Sequence, residues 1–291
     1  MKTYLDCLPC LMNQSLRAAR AVSDDEEIHR RVLNALTARI PELSLNLKSP
    51  EIAQQGYRLI KEVTGNSDPF LQAKTAANET ALKLYPYFKE LISGSKDPLL
   101  SACKLAIAGN SIDHGPMMAN FDIKQILQFP SEFDLAIDDY PALLDNLTTA
   151  KRILYIGDNA GEIVLDRILI EELHKIRELE VNFVVRDQPV INDVTMADAL
   201  ATGMNKVAGI IPSGSDAPGT ILPQCSLELQ RYYHSADLII SKGQGNYESL
   251  EGETGNLFFF LKAKCELMAD ILGVKVGDAV LKQHVYLDCV S

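Results

Sequence analysis

The stretch "LYIGDNAGEIVLD", residues 154–166, decides the reading of this chain. An apolar run stops at Gly157-Asp158-Asn159-Ala160-Gly161, and an apolar, helix-like stretch follows. That is the pattern of a buried strand, a tight polar turn and a helix. The rhythm recurs outward from it. "RILYI" (152–156), "VNFVV" (181–185), "KVAGII" (206–211) and "DLIIS" (237–241) are short apolar runs with helix-permissive segments between them. Near-continuous apolar strands alternating with helices predict a parallel sheet covered on both faces. "VYLD" (285–288) reads as one more strand, and "LFFFLKAKCELMADIL" (257–272) as a buried helix interrupted by Lys and Glu.

Residues 1–98 read differently. "EEIHRRVLNALTARI" has apolar residues at helical spacing and stops at Pro41. "SPEIAQQGYRLIKEVTG" (49–65) opens on Ser-Pro and closes on Gly65, and "SDPFLQAKTAANETALKLYPYFKELI" (67–92) starts the same way. The polar break "SGSKDP" (93–98) places a boundary between a helical region, 1–98, and an α/β domain, 99–291.

Composition sets the function class. Hydrophobic residues make up 47% and charged residues 23%, the balance of a globular chain with a large core. A net charge of −11 argues against binding nucleic acid or an anionic membrane. No apolar run approaches the length that spans a bilayer, and the first 20 residues lack the apolar core of a secretory leader. A cytoplasmic location is expected. The six cysteines are then no disulfide framework.

The polar turns carry the chemistry. "GDNAGE", "RDQPVINDVT" and "KGQGNYESL" follow three of the strands, at the sheet end where open α/β proteins bind ligands. Asp158, Asn159 and Asp193 supply two carboxylates and an amide, hard oxygen ligands for Mg²⁺, Mn²⁺ or a similar ion. The competing reading is that they form turns and helix caps. Lys242 offers a point charge, Gly243 and Gly245 allow close backbone approach to an oxyanion, and Asn246 offers a hydrogen bond; a plain Gly turn explains the same string. Asn110 and Asp113 in "AIAGNSIDHG" could face the same pocket, with His114 either a proton carrier or a loop residue. Cys7 and Cys10 are half of a soft-metal site, a redox pair, or two inert thiols. No P-loop, G-x-S-x-G, H-E-x-x-H or DxDxT motif is present.

Taken together, "CLPC", "DPFLQAK", "AGNSIDHG", "GDNAGEIVLD", "INDVT", "SADLIISKGQGNYESL" and "FFFLKAKCELMA" span essentially the whole chain. With them the chain resembles the DUF89 family of metal-dependent damage-control phosphatases, in its small prokaryotic and archaeal type. The resemblance implies a three-layer α/β/α Rossmann-like core with a helical N-terminal portion. It implies a divalent ion (Mn, Mg, Co or Ni) on Asp158, Asn159 and Asp193, with Asn110, Asp113, Lys242 and Asn246 around a phosphate. The expected activity is hydrolysis of phosphomonoesters of small metabolites, with Asp158, Asp193 and Lys242 catalytic and Gly243 and Gly245 binding substrate. Water is the expected nucleophile, an aspartyl-phosphate the other route. Gln244-Gly245 stands where the sugar-phosphate branch has Asp and a larger residue, so its substrate does not carry over. A non-catalytic phospho-ligand-binding protein and a carboxyl methyltransferase are the alternatives. Metabolite and oligomeric state stay open.

Overall fold

The computed structural model describes residues 1–109 and 134–284. The expected strand 285–288 and the residues Asn110, Asp113 and His114 lie outside them. Among the described residues one sheet of seven strands is formed by β1 (Leu135–Asp138), β2 (Arg152–Ile156), β3 (Glu180–Val185), β4 (Gly209–Pro212), β5 (Leu238–Lys242), β6 (Leu257–Lys262) and β7 (Ala279–Gln283). Their order is β1-β7-β6-β5-β2-β3-β4. Strands β2 to β6 are parallel, β7 runs antiparallel to β6, and β1 follows β7. From β2 the chain builds outward through β3 and β4, then returns to the other side of β2 for β5 and β6. The order therefore reverses between β2 and β5, where ligand crevices form in such sheets.

Alternation along the strands fills both faces. Tyr155, Phe183, Ile240, Phe258 and Phe260 point into one core, shared with Phe88, Ile107, Leu143 and Ile168 from the helices Leu71–Ser93 (α4), Pro98–Gly109 (α5), Tyr140–Leu147 (α6) and Glu162–Ile176 (α7). Leu154, Ile156, Val184, Ile239 and Phe259 point into the other. There they meet Leu229, Tyr247 and Met268 from Leu227–Ser235 (α9), Gln244–Leu250 (α10) and Glu266–Leu272 (α11); Met196–Ala201 (α8) lies between β3 and β4. The three-layer α/β/α core is present.

Residues 257–272 are a correction. Instead of one helix, β6 is followed by a break and α11. As a strand, "FFF" sends Phe258 and Phe260 to one covered face and Phe259 to the other, and all three are buried. Each such burial contributes about 1.5–3 kcal/mol. A helix would spread the three rings around a wide arc and need cover on nearly every side.

The N-terminal helices Cys7–Val22 (α1), Glu26–Arg39 (α2) and Ser49–Thr64 (α3) form their own apolar clusters. One of these, with Ala18, Val32, Tyr57 and Ile60, also takes in Val190 from the loop after β3. Gly65 closes α3 at φ 69, as the sequence suggested. Helix α4 shares the core of the sheet, so the cores do not divide where the chain breaks at 93–98. The helical layer α1–α3 is thus set against the loops at one rim of the sheet.

Candidate active site

Backbone pairing brings the two acidic loops together. Val194 N–H donates to the Asp158 carbonyl at 2.8 Å, and Ala160 N–H donates to the Asn192 carbonyl at 2.9 Å. Asn159 and Asp193 thereby face each other in an isolated antiparallel bridge. Gly157 is required here, because a Cβ would lie 2.5 Å from the Phe183 ring. Ile191, beside the bridge, holds φ 44, a conformation β-branched residues avoid. Such strain persists where surrounding contacts over-determine it.

Asp158, Asn159, Asn192 and Asp193 line one cavity of about 480 Å³. The side chains are tied to each other as well. Asn159 Nδ2 donates to Asp158 Oδ2 at 2.8 Å and to Glu162 Oε2 at 3.1 Å. Arg186, buried at the end of β3, donates Nε to Asp193 Oδ2 at 2.7 Å. Burial, then the neighbouring Asp193 and Glu162 carboxylates, push the Asp158 carboxyl well above its usual range, against the pull of Lys264 and Arg186. A water-poor concentration of like charge is what a divalent cation would relieve. Asn192 Oδ1 adds a second sign: it is buried, with no hydrogen-bond partner among the described residues. The donor set, two carboxylates with amide oxygens, suits a hard divalent ion.

Other expected site residues stand elsewhere. Lys242 does not line the cavity. It is fully buried, and Nζ donates to the Ala106 carbonyl at 2.8 Å, Glu162 at 2.6 Å and Asp166 at 2.7 Å. Tyr155 also donates to Asp166, at 2.7 Å, while burial raises the Asp166 carboxyl to about 6 against the pull of Lys242. Lys242 therefore sits behind the metal-type cluster and fixes Glu162, which in turn holds the Asn159 amide. Asn246 is likewise spent on structure. Its Nδ2 donates to the carbonyls of Gly157 and Lys242, and its Oδ1 accepts from Arg186 and Thr220. Every polar atom of that side chain is engaged in joining the loops after β2, β3 and β5.

Gly243 and Gly245 are glycines for reasons of contact. At Gly243, with φ +80, a Cβ would sit 2.0 Å from Asp158 Oδ2, so this position lets the carboxylate lie against the backbone. At Gly245, which does line the cavity, a Cβ would meet the Pro218 carbonyl at 2.4 Å. Among the described residues, the cation in the cavity wall is Lys264, between β6 and α11. Reading that stretch as a helix hid it; Glu162 and Arg186 were hidden by looking like ordinary helix and loop charges.

Cys7 and Cys10 open α1 and line the same cavity, as does Cys265. Gln14 donates to Cys10 Sγ at 3.2 Å, and desolvation pushes the Cys10 thiol up. Among the described residues, no three His, Cys, Asp or Glu side chains are grouped to hold an ion. Hence the pair does not gain the further ligands that a closed soft-metal site needs. The Asp158–Asn159–Asp193 set, completed by amides, falls outside that grouping.

Comparison with known proteins identifies the family. Among relatives, the chain is 36% identical to an uncharacterized protein of Methanocaldococcus jannaschii, covering 97% of this chain and 95% of that one. It is 35% identical to a damage-control phosphatase of Pyrococcus horikoshii (98% and 99%) and 33% identical to one of Archaeoglobus fulgidus (97% and 99%). The crystal structure of a DUF89 family protein from P. horikoshii superposes with a TM-score of 0.87 at 33% identity, over 98% of this chain and all of that one. Residues 3–280 match the model of the damage-control phosphatase ARMT1-like domain, and the chain belongs to that family.

Proposed function

We propose that this chain is a metal-dependent phosphatase acting on phosphomonoesters of small metabolites. The observation that carries the reading is the convergence of Asp158, Asn159, Asn192 and Asp193 on one cavity at the point where strand order reverses. Asp158, Asn159 and Asp193 would hold the divalent ion, with the amide oxygen of Asn192 beside them. When bound, the ion supplies Lewis acidity toward the phosphoryl group and the attacking water.

The chain's own residues set the stage for that step. Arg186 holds Asp193 by Oδ2, and Glu162, backed by Lys242, holds the amide of Asn159. With Nδ2 donating to two carboxylates, the donor that Asn159 offers an ion is its Oδ1. Lys264, in the same wall, supplies positive charge toward the phosphoryl oxygens. Fixed charges of this kind stabilise a dispersed phosphoryl-transfer transition state without reorganising during it. Water attacks phosphorus directly in this scheme. Single turnover in oxygen-18 water would then put label into released phosphate and none into an Asp carboxyl.

The test is phosphate release from a panel of phosphorylated metabolites, using protein stripped with a chelator and reloaded separately with Mg²⁺, Mn²⁺, Co²⁺ or Ni²⁺. Turnover that returns with at least one ion supports the reading. Turnover unaffected by stripping, or absent with every ion and substrate, refutes it.

A further inference from the structure

Helix α4 reaches both acidic loops through one side chain. Asn78, buried on α4, accepts from Gly161 N–H with Oδ1 at 2.7 Å and donates from Nδ2 to Asp198 Oδ1 at 2.9 Å. Gly161 lies between Asn159 and α7, and Thr195, which Asp198 caps, lies between Asp193 and α8. The two helix starts differ in one respect. At α8 the Asp198 carboxylate reaches back to Thr195, accepting from its N–H at 2.9 Å and its hydroxyl at 2.7 Å, as in a capping box. At α7 the equivalent position is Val164, which carries no acceptor, and Gly161 has no side chain of its own. Asn78 supplies the missing acceptor from another helix.

The fit around it is close. A Cβ at Gly161, where φ is +79, would come within 3.1 Å of Ala77 Cβ, so α4 lies against the turn itself. Lys74, also buried on α4, bonds Asp68 at 2.7 Å and lies 3.7 Å from Asp198. The two ends of "DPFLQAK" (68–74) thus brace the same contact. An amide satisfies both partners of residue 78, since Gly161 needs an acceptor and the Asp198 carboxylate a donor.

We infer that Asn78 is a positioning residue: from α4 it holds the loops after β2 and β3 in the register that brings Asp158, Asn159 and Asp193 to one cavity. The role rests on the metal-site reading above and adds to it a residue that does not line the cavity. The Val194–Asp158 and Ala160–Asn192 bonds join the loops to each other. Asn78 ties the joined pair to α4, whose Phe88 and Ile92 are buried in the core of the sheet.

Amide exchange in chelator-stripped protein separates local loosening from general destabilisation. It is read by NMR at Ala160 and Val194 and divided by the rate at Ile240, a buried residue of β5. Asn78→Leu and Asp198→Asn should each raise these ratios roughly tenfold or more, and weaken Mn²⁺ binding in calorimetry by roughly tenfold. The reciprocal pair N78D/D198N exchanges donor and acceptor, keeps the total charge, and should return both measures to within about threefold of the parent. Ratios within about twofold of the parent in N78L, or a reciprocal pair no better than D198N, overturn the inference. So does an unchanged Mn²⁺ affinity in N78L when the parent binds the ion. A parent that takes up no Mn²⁺ sinks the metal reading, and the exchange ratios still decide this one.

Discussion

The loop rim and the helical wall of this cavity are built by different physics. The rim is covalently short and tightly stitched. Loops after β2, β3 and β5 are joined by backbone hydrogen bonds, by the Arg186–Asn246–Thr220 bonds, and by a buried Lys242–Glu162–Asp166 cluster. The wall is looser in kind. Helices α1 and α3 lean on the rim through small apolar clusters and through side-chain pairs such as Arg58 and Gln54 with Asp216. On the proposed function, rim and wall would divide the labour: the first would hold the ion-binding side chains and the second would shape what is admitted. Changes to the rim should therefore strike chemistry or folding, and changes to the wall should strike substrate choice.

The largest break in that division comes from Asp193→Asn, which keeps shape and removes charge. Phosphate release should fall by on the order of 10³-fold with the circular dichroism spectrum preserved, while loss of the buried partner of Arg186 lowers Tm. Lys242→Met tests the layer behind. Because the ammonium touches three partners at full burial, its loss leaves Glu162 and Asp166 facing each other and should cost about 3–5 kcal/mol of unfolding free energy. Urea titration reads this directly; an unchanged midpoint would mean Lys242 is no structural member of the rim. A wall change, Ile52→Asn, should raise KM for an apolar phosphoester by roughly tenfold with kcat within about twofold. An equal fall in kcat would erase the distinction between wall and rim.

The smallest effect concerns pH. Burial alone would raise Asp216, but hydrogen bonds from Arg58 and Gln54 outweigh it, and the carboxyl lies below its ordinary 3.8. A depressed carboxylate stabilises the fold above its unfolded value, and that contribution disappears as pH falls through the folded value. Arg58→Ala should accordingly lower Tm near neutral pH, with the deficit shrinking once pH drops below about 4. A deficit that stays constant with pH would detach this ion pair from the docking of α3.

Sequence legibility follows the same line. Strand, turn and helix could be read from "LYIGDNAGEIVLD" because a parallel strand needs a continuous apolar run and the turn needs Gly and polar residues. The metal-type acids were visible because they follow strands, and strand ends of one parallel sheet share an edge. What lay hidden was side-chain direction at a shared edge. Lys242 and Asn246 sit on the same short string as Gly245, yet both turn into the structure while Gly245 lines the cavity. The β6–α11 break was missed because Phe, Leu and Ala suit a buried strand and a buried helix alike, and with it went Lys264. The wall could not be read at all, since nothing in a single sequence says which face of α1 or α3 meets the loops of a distant sheet.

Calorimetric titration of chelator-treated protein with Mn²⁺, compared between the parent and Asp158→Asn, tests the central claim most directly. One ion per chain should bind the parent, and affinity should fall by roughly 10²-fold or more in the variant. Equal binding by both proteins, or no binding by the parent, would contradict a cation held between the loops after β2 and β3.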